Sequence, residues 1–206
     1  IWDADAIREQ AYTDNVVGII IQQIERLPAD SREAIQHMAC LGHDASLDKL
    51  AVALDWPRLD VATAMRECER QSLVFRTGDV YRFPHDRVQA ASYALIPERQ
   101  RAATHLAIGR RLAQDQEPEQ LKAQAFELVD QFNRAWQLVH SPEERVRLAH
   151  LNALAGALAK DTADYSAAIR YLEAASAFLS DDGRQHQPAL AFTIEITPAE
   201  CGFRRG

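Results

Sequence analysis

Cysteine is scarce in this sequence. Three cysteines, at positions 40, 68 and 201, are spread over 206 residues, an odd number with no CxxC pair. That excludes a disulfide scaffold and a four-thiolate zinc ribbon. Cys40 and Cys68 fall among apolar neighbours at helical spacing, where a buried reduced thiol is expected. Such usage fits a reducing, cytoplasmic setting. Long apolar runs are missing too. The longest, Val16 to Ile21, is interrupted by Gly18 and followed by Gln22, Gln23 and Glu25. It falls well short of the ~20 residues of a membrane span, so no membrane partner is expected. The opening residues IWDADAIREQ are acidic and mixed, unlike a secretory leader, and do not start with Met. The chain therefore reads as a piece of a longer polypeptide or a processed product.

Positive charge is also in deficit. The formal net charge is −7, which argues against nonspecific nucleic-acid binding, since that depends on a basic footprint. The eight glycines form neither GxxxxGK[ST] nor GxGxxG, so no phosphate-cradling loop is present. There is no kinase catalytic loop, no GxSxG elbow and no His-Glu-x-x-His. The seven histidines (37, 43, 85, 105, 140, 150 and 186) lack metal-ligand spacing. The carboxylate pairs Asp181-Asp182 and Glu143-Glu144 sit at expected helix ends, where capping explains them. No catalytic residue and no metal ligand is assigned, and the chain itself is expected not to be an enzyme.

Helices are what the sequence does have. Apolar residues recur at three- and four-residue spacing along most of its length. Thr13 and Asp14 can cap a helix through VVGIIIQQIERL, and Asp30 or Ser31 the helix REAIQHMACLG, closed by Gly42. Ser46 caps LDKLAVAL, and Pro57 opens PRLDVATAMRECERQ. Then the pattern changes. Leu73-Val74-Phe75, the turn Thr77-Gly78-Asp79 and Val80 to Phe83 read as a β-hairpin, with Gly78 at the tight turn. Helices followed by a small hairpin is the order of a winged helix.

Beyond the hairpin the chain is helical again: VQAASYALI, a helix opened by Pro97, then LKAQAFELVDQFNRAWQLV as one helix. Ser141-Pro142-Glu143-Glu144 combines an N-cap, a first-turn proline and acids at the positive helix end, before ERVRLAHLNALAGALAK. A tetratricopeptide register anchored on Gly156 places Ala168 and Ala175 at the other small-residue positions. Tyr165 and Leu172 then fall at its larger ones, while its early Trp is Asn152 and its terminal Pro is Ser180. A generic helical hairpin is the plainer alternative. Past Gly183, Pro198 interrupts the next helical pattern, and a frayed or unpaired face is expected there.

The stretch FPHDRVQAASYALIPERQR sets His85, Asp86 and Arg87 side by side. Asp86 is placed as an N-cap with Gln89 completing a capping box, and Arg87 faces solvent. His85 is left at the mouth of a helix, a natural place to meet an anion, or simply to bond a backbone group. DNA reading by the helix before the hairpin is disfavoured. Its Arg58, Arg66 and Arg70 are balanced by Asp60, Glu67 and Glu69, and Asp79 lies between Arg76 and Arg82 of the wing.

At these residues the chain resembles a known family. YRFPHDRVQAASYALIPERQRAATHLAIGRRL is similar to the segment after the nucleotide-binding core of STAND-class signalling ATPases. It is closest in kind to large bacterial proteins joining a serine/threonine-kinase-like domain, an AAA-type ATPase, helical repeats, a GAF domain and a histidine kinase. YTDNVVGIIIQQIERLPADSREAIQHMACLG, FELVDQFNRAWQLV, ERVRLAHLNALAGALAK and YSAAIRYLEAA share the likeness, which runs from residue 2 to about 180. The resemblance implies a mainly α chain: a lead-in at 1–13 from an upstream domain, a winged helix at 14–96, tetratricopeptide-like hairpins at 97–183, and an incomplete repeat or frayed tail at 184–206. It implies a regulatory fragment of a two-component or hybrid-kinase pathway. In that family a winged-helix histidine of a Met-His-Asp motif touches bound ADP. The matching positions are Pro84, His85 and Asp86, with Pro84 departing from the Met. His85 is thus the candidate ADP phosphate contact in a longer parent. No cofactor is expected in this chain, and ATP or ADP would belong to the upstream domain. The implied partners are that ATPase domain, downstream signalling domains and proteins held by the repeats. The alternative is a free-standing winged-helix transcriptional regulator whose repeats bind a partner.

Overall fold

The computed structural model describes residues 17–114, 116–179 and 181–203, with backbone alone for 181, 182 and 196–203. The expected caps Thr13 and Asp14 and the lead-in at 1–13 lie outside the described residues. The protein is mainly helical with one small three-stranded sheet. It divides at Thr104 and His105 into two compact units, inside the helix that Pro97 opens.

The first unit holds α1 (17–25), α2 (Ala29–Leu41), β1 (Asp44–Ser46), α3 (Leu47–Leu54), α4 (Arg58–Arg70), β2 (Phe75–Thr77), β3 (Val80–Arg82), α5 (Asp86–Ala94) and the start of α6 (Glu98–Ala113). The strands are antiparallel in the order β1-β3-β2, with Ala45 opposite Tyr81 and Thr77 opposite Val80. Side chains alternate across a strand, so Tyr81 is buried while Arg82 is exposed. Tyr81 and Phe83 close the sheet side of a core built from Ile24, Ile35, Met38, Leu50, Val61 and Met65. Gly78 takes φ 60° at the hairpin turn, as its lack of a Cβ allows.

Local signals place several helix starts. Ser46 accepts the Lys49 N–H at 3.2 Å and so caps α3. Other expectations are corrected. Helix α2 starts at Ala29, directly after Pro28, so neither Asp30 nor Ser31 is its cap; Ser31 is buried inside its first turn. Strand β1 had no expectation at all. It is three residues long with only Ala45 buried, too short for alternation to be read. Cys40 and Cys68 are buried. The Cys68 thiol donates to the Ser31 carbonyl at 3.4 Å, and burial pushes its pKa up to about 12.

The second unit takes the rest of α6, then α7 (Pro118–Ala123), α8 (Ala125–Asn133), a 3-10 turn at Trp136–Leu138, α9 (Pro142–Asp161), α10 (Tyr165–Phe178), α11 (Asp181–His186) and α12 (Pro188–Phe203). The single helix expected over LKAQAFELVDQFNRAWQLV is broken at Gln124. None of α7 is buried, whereas α8 buries Ala125, Leu128, Val129 and Phe132. The two segments therefore answer to different surroundings. Ser141 caps α9 as expected, accepting the Glu144 N–H at 3.3 Å.

Helices α9 and α10 are joined by the turn 162–164, in which Ala163 takes φ 61°, and they pack closely. A Cβ on Gly156 would sit 2.9 Å from Leu172 Cγ and 3.4 Å from the Ala168 carbonyl oxygen. A Cβ on Gly109 of α6 would likewise sit 3.1 Å from the Phe132 ring of α8. Two polar pairs tie the helices together: buried His105 with buried Gln131 at 2.7 Å, and buried Asn152 with half-buried Asn133. Helix α12 continues through Pro198 and buries Leu190 and Ile194. It packs on α10 and α9, so its described part is not left unpaired, although Phe192 remains exposed.

Candidate functional site

The start of α5 is where the sequence singled out His85. The Phe83 N–H donates to the His43 carbonyl at 3.0 Å, which extends the β1–β3 pairing by one step and delivers the chain to the helix mouth. There the N-cap is His85, not Asp86. His85 has extended backbone (φ −157°, ψ 147°), and its Nδ1 accepts the Arg87 N–H at 3.1 Å. An acceptor Nδ1 leaves the ring proton on Nε2. Because His85 is exposed, that N–H is open to solvent.

Asp86 is instead the first residue of α5. Its carboxylate lies 3.5 Å from His43 Nδ1 and is otherwise largely solvent-facing. The expected capping box is not formed. Gln89 reaches across to the Ala39 carbonyl of α2 at 3.4 Å and helps hold α5 on the core. Pro84 is exposed beside His85. Sequence reasoning missed His43 altogether, since its nearness to Asp86 arises from strand pairing across 38 or more residues and leaves no local trace.

The helix α4 and hairpin face is organised by ion pairs. Arg58 holds Asp48 of α3 and, at 2.7 Å, Asp79 of the hairpin turn. Arg76 donates to the same Asp79 at 2.8 Å and to the Gly78 carbonyl at 2.7 Å. Arg82 donates to Asp44 through two nitrogens, at 3.1 and 2.9 Å, and Arg70 pairs with Glu67. The Arg76 and then the Arg58 guanidinium hold the Asp79 carboxyl below the usual carboxylate range. The Arg58 pKa is raised in turn by Asp48 and Asp79. By sequence alone Arg58, Arg66 and Arg70 sum against Asp60, Glu67 and Glu69 of the same helix, whereas the partners of Arg58 lie on other elements.

Among the described residues, no group of three or more His, Cys, Asp or Glu side chains is arranged to hold a metal. No described helix is long and apolar enough to cross a membrane.

These features define a mainly helical chain with one small antiparallel sheet and a histidine-capped helix at its edge. Over nearly its whole length it is similar to a signal-transduction protein, the hybrid signal transduction histidine kinase G of Dictyostelium discoideum. The two are 21% identical over 237 residues, which covers 89% of this chain and 7% of that protein. The chain thus spans less than a tenth of the length of that curated relative. No family model matches the sequence, and no solved structure matches it.

Proposed function

We propose that the chain is a non-catalytic regulatory and protein-interaction module of a larger cytoplasmic signalling ATPase or hybrid kinase. The observation that carries this reading is the likeness, along 89% of the chain, to a hybrid signal transduction histidine kinase many times its length. In this reading the first unit is a winged helix. The element order in its support is helices, then a hairpin whose sheet gains a third strand from β1. The second unit is a set of tetratricopeptide-like hairpins, and the close approach of α9 and α10 at Gly156 favours it.

Coupling to nucleotide would run through His85. Its Nδ1 is taken by the cap, so its Nε2–H is the group left to meet a phosphate of ADP held by an upstream ATPase domain. The adjacent N-terminus of α5 would add favourable partial charge. Nucleotide exchange would then release the winged helix, and the second unit would pass the change to downstream partners.

DNA binding is disfavoured by chemistry, not only by charge counting. Arg58, Arg70, Arg76 and Arg82 are each already paired with a carboxylate of the same unit. Neutralising phosphates would require breaking those pairs. The deciding measurement is the mass of the native polypeptide, by blotting cell lysate with an antibody against this segment. A band several-fold above 23.1 kDa is expected. A band at 23.1 kDa, with a salt-dependent mobility shift on duplex DNA, would favour a free-standing transcriptional regulator instead.

A further inference from the structure

An open groove of about 600 Å³ lies in the second unit, between the end of α6, α7 and one face of α9. Its floor is apolar: Leu121, Phe132, Leu148, Leu151 and Leu154. Along α9 the lining runs from Glu144 to Leu154, three turns or roughly 15 Å of helix at the standard rise. An elongated trough with helical walls suits a helix laid into it better than a compact ligand.

The charge of the lining points to the occupant. The whole chain carries 30 acidic against 23 basic residues. The groove reverses that balance, with two arginines, Arg110 on one wall and Arg147 on the other, against Glu144, the one carboxylate in its lining. That carboxylate is already held by Arg110 through two hydrogen bonds, at 2.8 and 2.7 Å. Arg147 and His150 are exposed; Arg147 acts through charge on Glu143 and Glu144, whose carboxyls are held low chiefly by the Ser141 and Arg110 hydrogen bonds. An apolar floor with Arg147 on one rim and the Arg110–Glu144 pair on the other is complementary to a helix whose apolar stripe is flanked on one side by carboxylates.

We propose that this groove docks an acidic amphipathic helix of a partner protein, with leucine-type side chains on the floor and glutamates against Arg147. This rests on the reading of the second unit as a protein-interaction region and specifies what it recognises.

The test uses the 206-residue chain and a fluorescein-labelled synthetic helix with leucines at i, i+3, i+4 and i+7 and glutamates flanking them. Anisotropy titration should give binding that weakens with salt. Replacing the glutamates by lysines should weaken it about tenfold or more, as should Arg147→Glu combined with His150→Glu. Both positions are exposed, and circular dichroism will confirm that the variant folds; Leu154→Gln, on the floor, is the second probe of the groove. The proposal is overturned if glutamate and lysine helices bind alike, or if neither variant changes binding. It is also overturned if sedimentation shows the groove closed by a second copy of the chain, with Leu154→Gln releasing the monomer. Failure of the peptide while the native band remains several-fold above 23.1 kDa would remove the groove assignment alone. A native band at 23.1 kDa would remove the signalling-module reading whatever the peptide does.

Discussion

The side-chain amides of Asn133 and Asn152 exchange two hydrogen bonds, Asn133 donating at 2.8 Å and Asn152 at 3.0 Å. Asn152 is fully buried and also donates to the Leu148 carbonyl at 3.0 Å. The pair lies where α8 meets α9, and each amide meets much of the other's demand. Removing one partner leaves the other under-bonded in a partly dry site, a loss of about 1–3 kcal/mol. Asn152→Leu should lower stability by that order in urea unfolding. The double change with Asn133→Leu should cost clearly less than the sum of the two single changes.

His85 combines two duties that can be separated. Serine at position 85 keeps an N-cap acceptor but loses the Nε2–H; alanine loses both. Relative to the parent chain, His85→Ala should cost about 1 kcal/mol of stability and His85→Ser less. In a longer protein containing the ATPase domain, both should speed ADP release and raise basal output. Release rates equal to those of the unaltered protein in the serine variant would reduce His85 to a structural cap.

Two glycines in helices should respond with opposite signs to alanine. At Gly156 the added methyl meets Leu172 Cγ at 2.9 Å, and overpacking of that kind costs about 1–3 kcal/mol. That outweighs the gain in helix propensity, about 1 kcal/mol. At Gly18 nothing lies within 4 Å, so only the propensity gain remains. Thermal unfolding should place Gly156→Ala below the parent chain and Gly18→Ala above it. If Gly156→Ala were the more stable, the close approach of α9 and α10 would be refuted.

Acid should loosen the link between α6 and α9. The Arg110 guanidinium holds the Glu144 carboxyl below the ordinary glutamate range. A carboxyl depressed in the folded state stabilises that state above its unfolded pKa, and the contribution fades as pH falls through the folded value. Stability should therefore drop from about pH 5 downward. Glu144→Gln should flatten part of that slope in urea titrations at successive pH values. An unchanged slope would mean the pair contributes nothing measurable, as many exposed pairs do.

Legibility in the sequence followed the range of the interaction. Ser46, Ser141 and Gly78 act within three or four residues of themselves, and each does what its local pattern indicates. Helix existence was readable for the same reason, since apolar spacing is local. One miss is local, the start of α2 at Ala29 after Pro28 instead of at Asp30 or Ser31; the others are non-local. His85 displaced Asp86 as the cap because the strand preceding α5 ends paired to His43, which sets where the helix begins. Arg58 found Asp48 and Asp79 on elements that meet only after folding. The break between α7 and α8 reflects which residues are covered, and sequence spacing runs through it without a mark. At the candidate site the backbone hydrogen bond of His85 was one of the two readings its position offered, whereas its place as the cap of α5 was not.

The buried thiol of Cys68 has a practical corollary. With its pKa near 12 it is almost wholly protonated at neutral pH, and the thiolate is the species that reacts. Alkylating reagents and peroxide should pass it by while the first unit is closed. It becomes reactive only when α2 parts from α4 and the Ser31 carbonyl releases it. The native chain thus carries its own stopwatch: the rate at which Cys68 takes up a thiol label reports how often that unit opens.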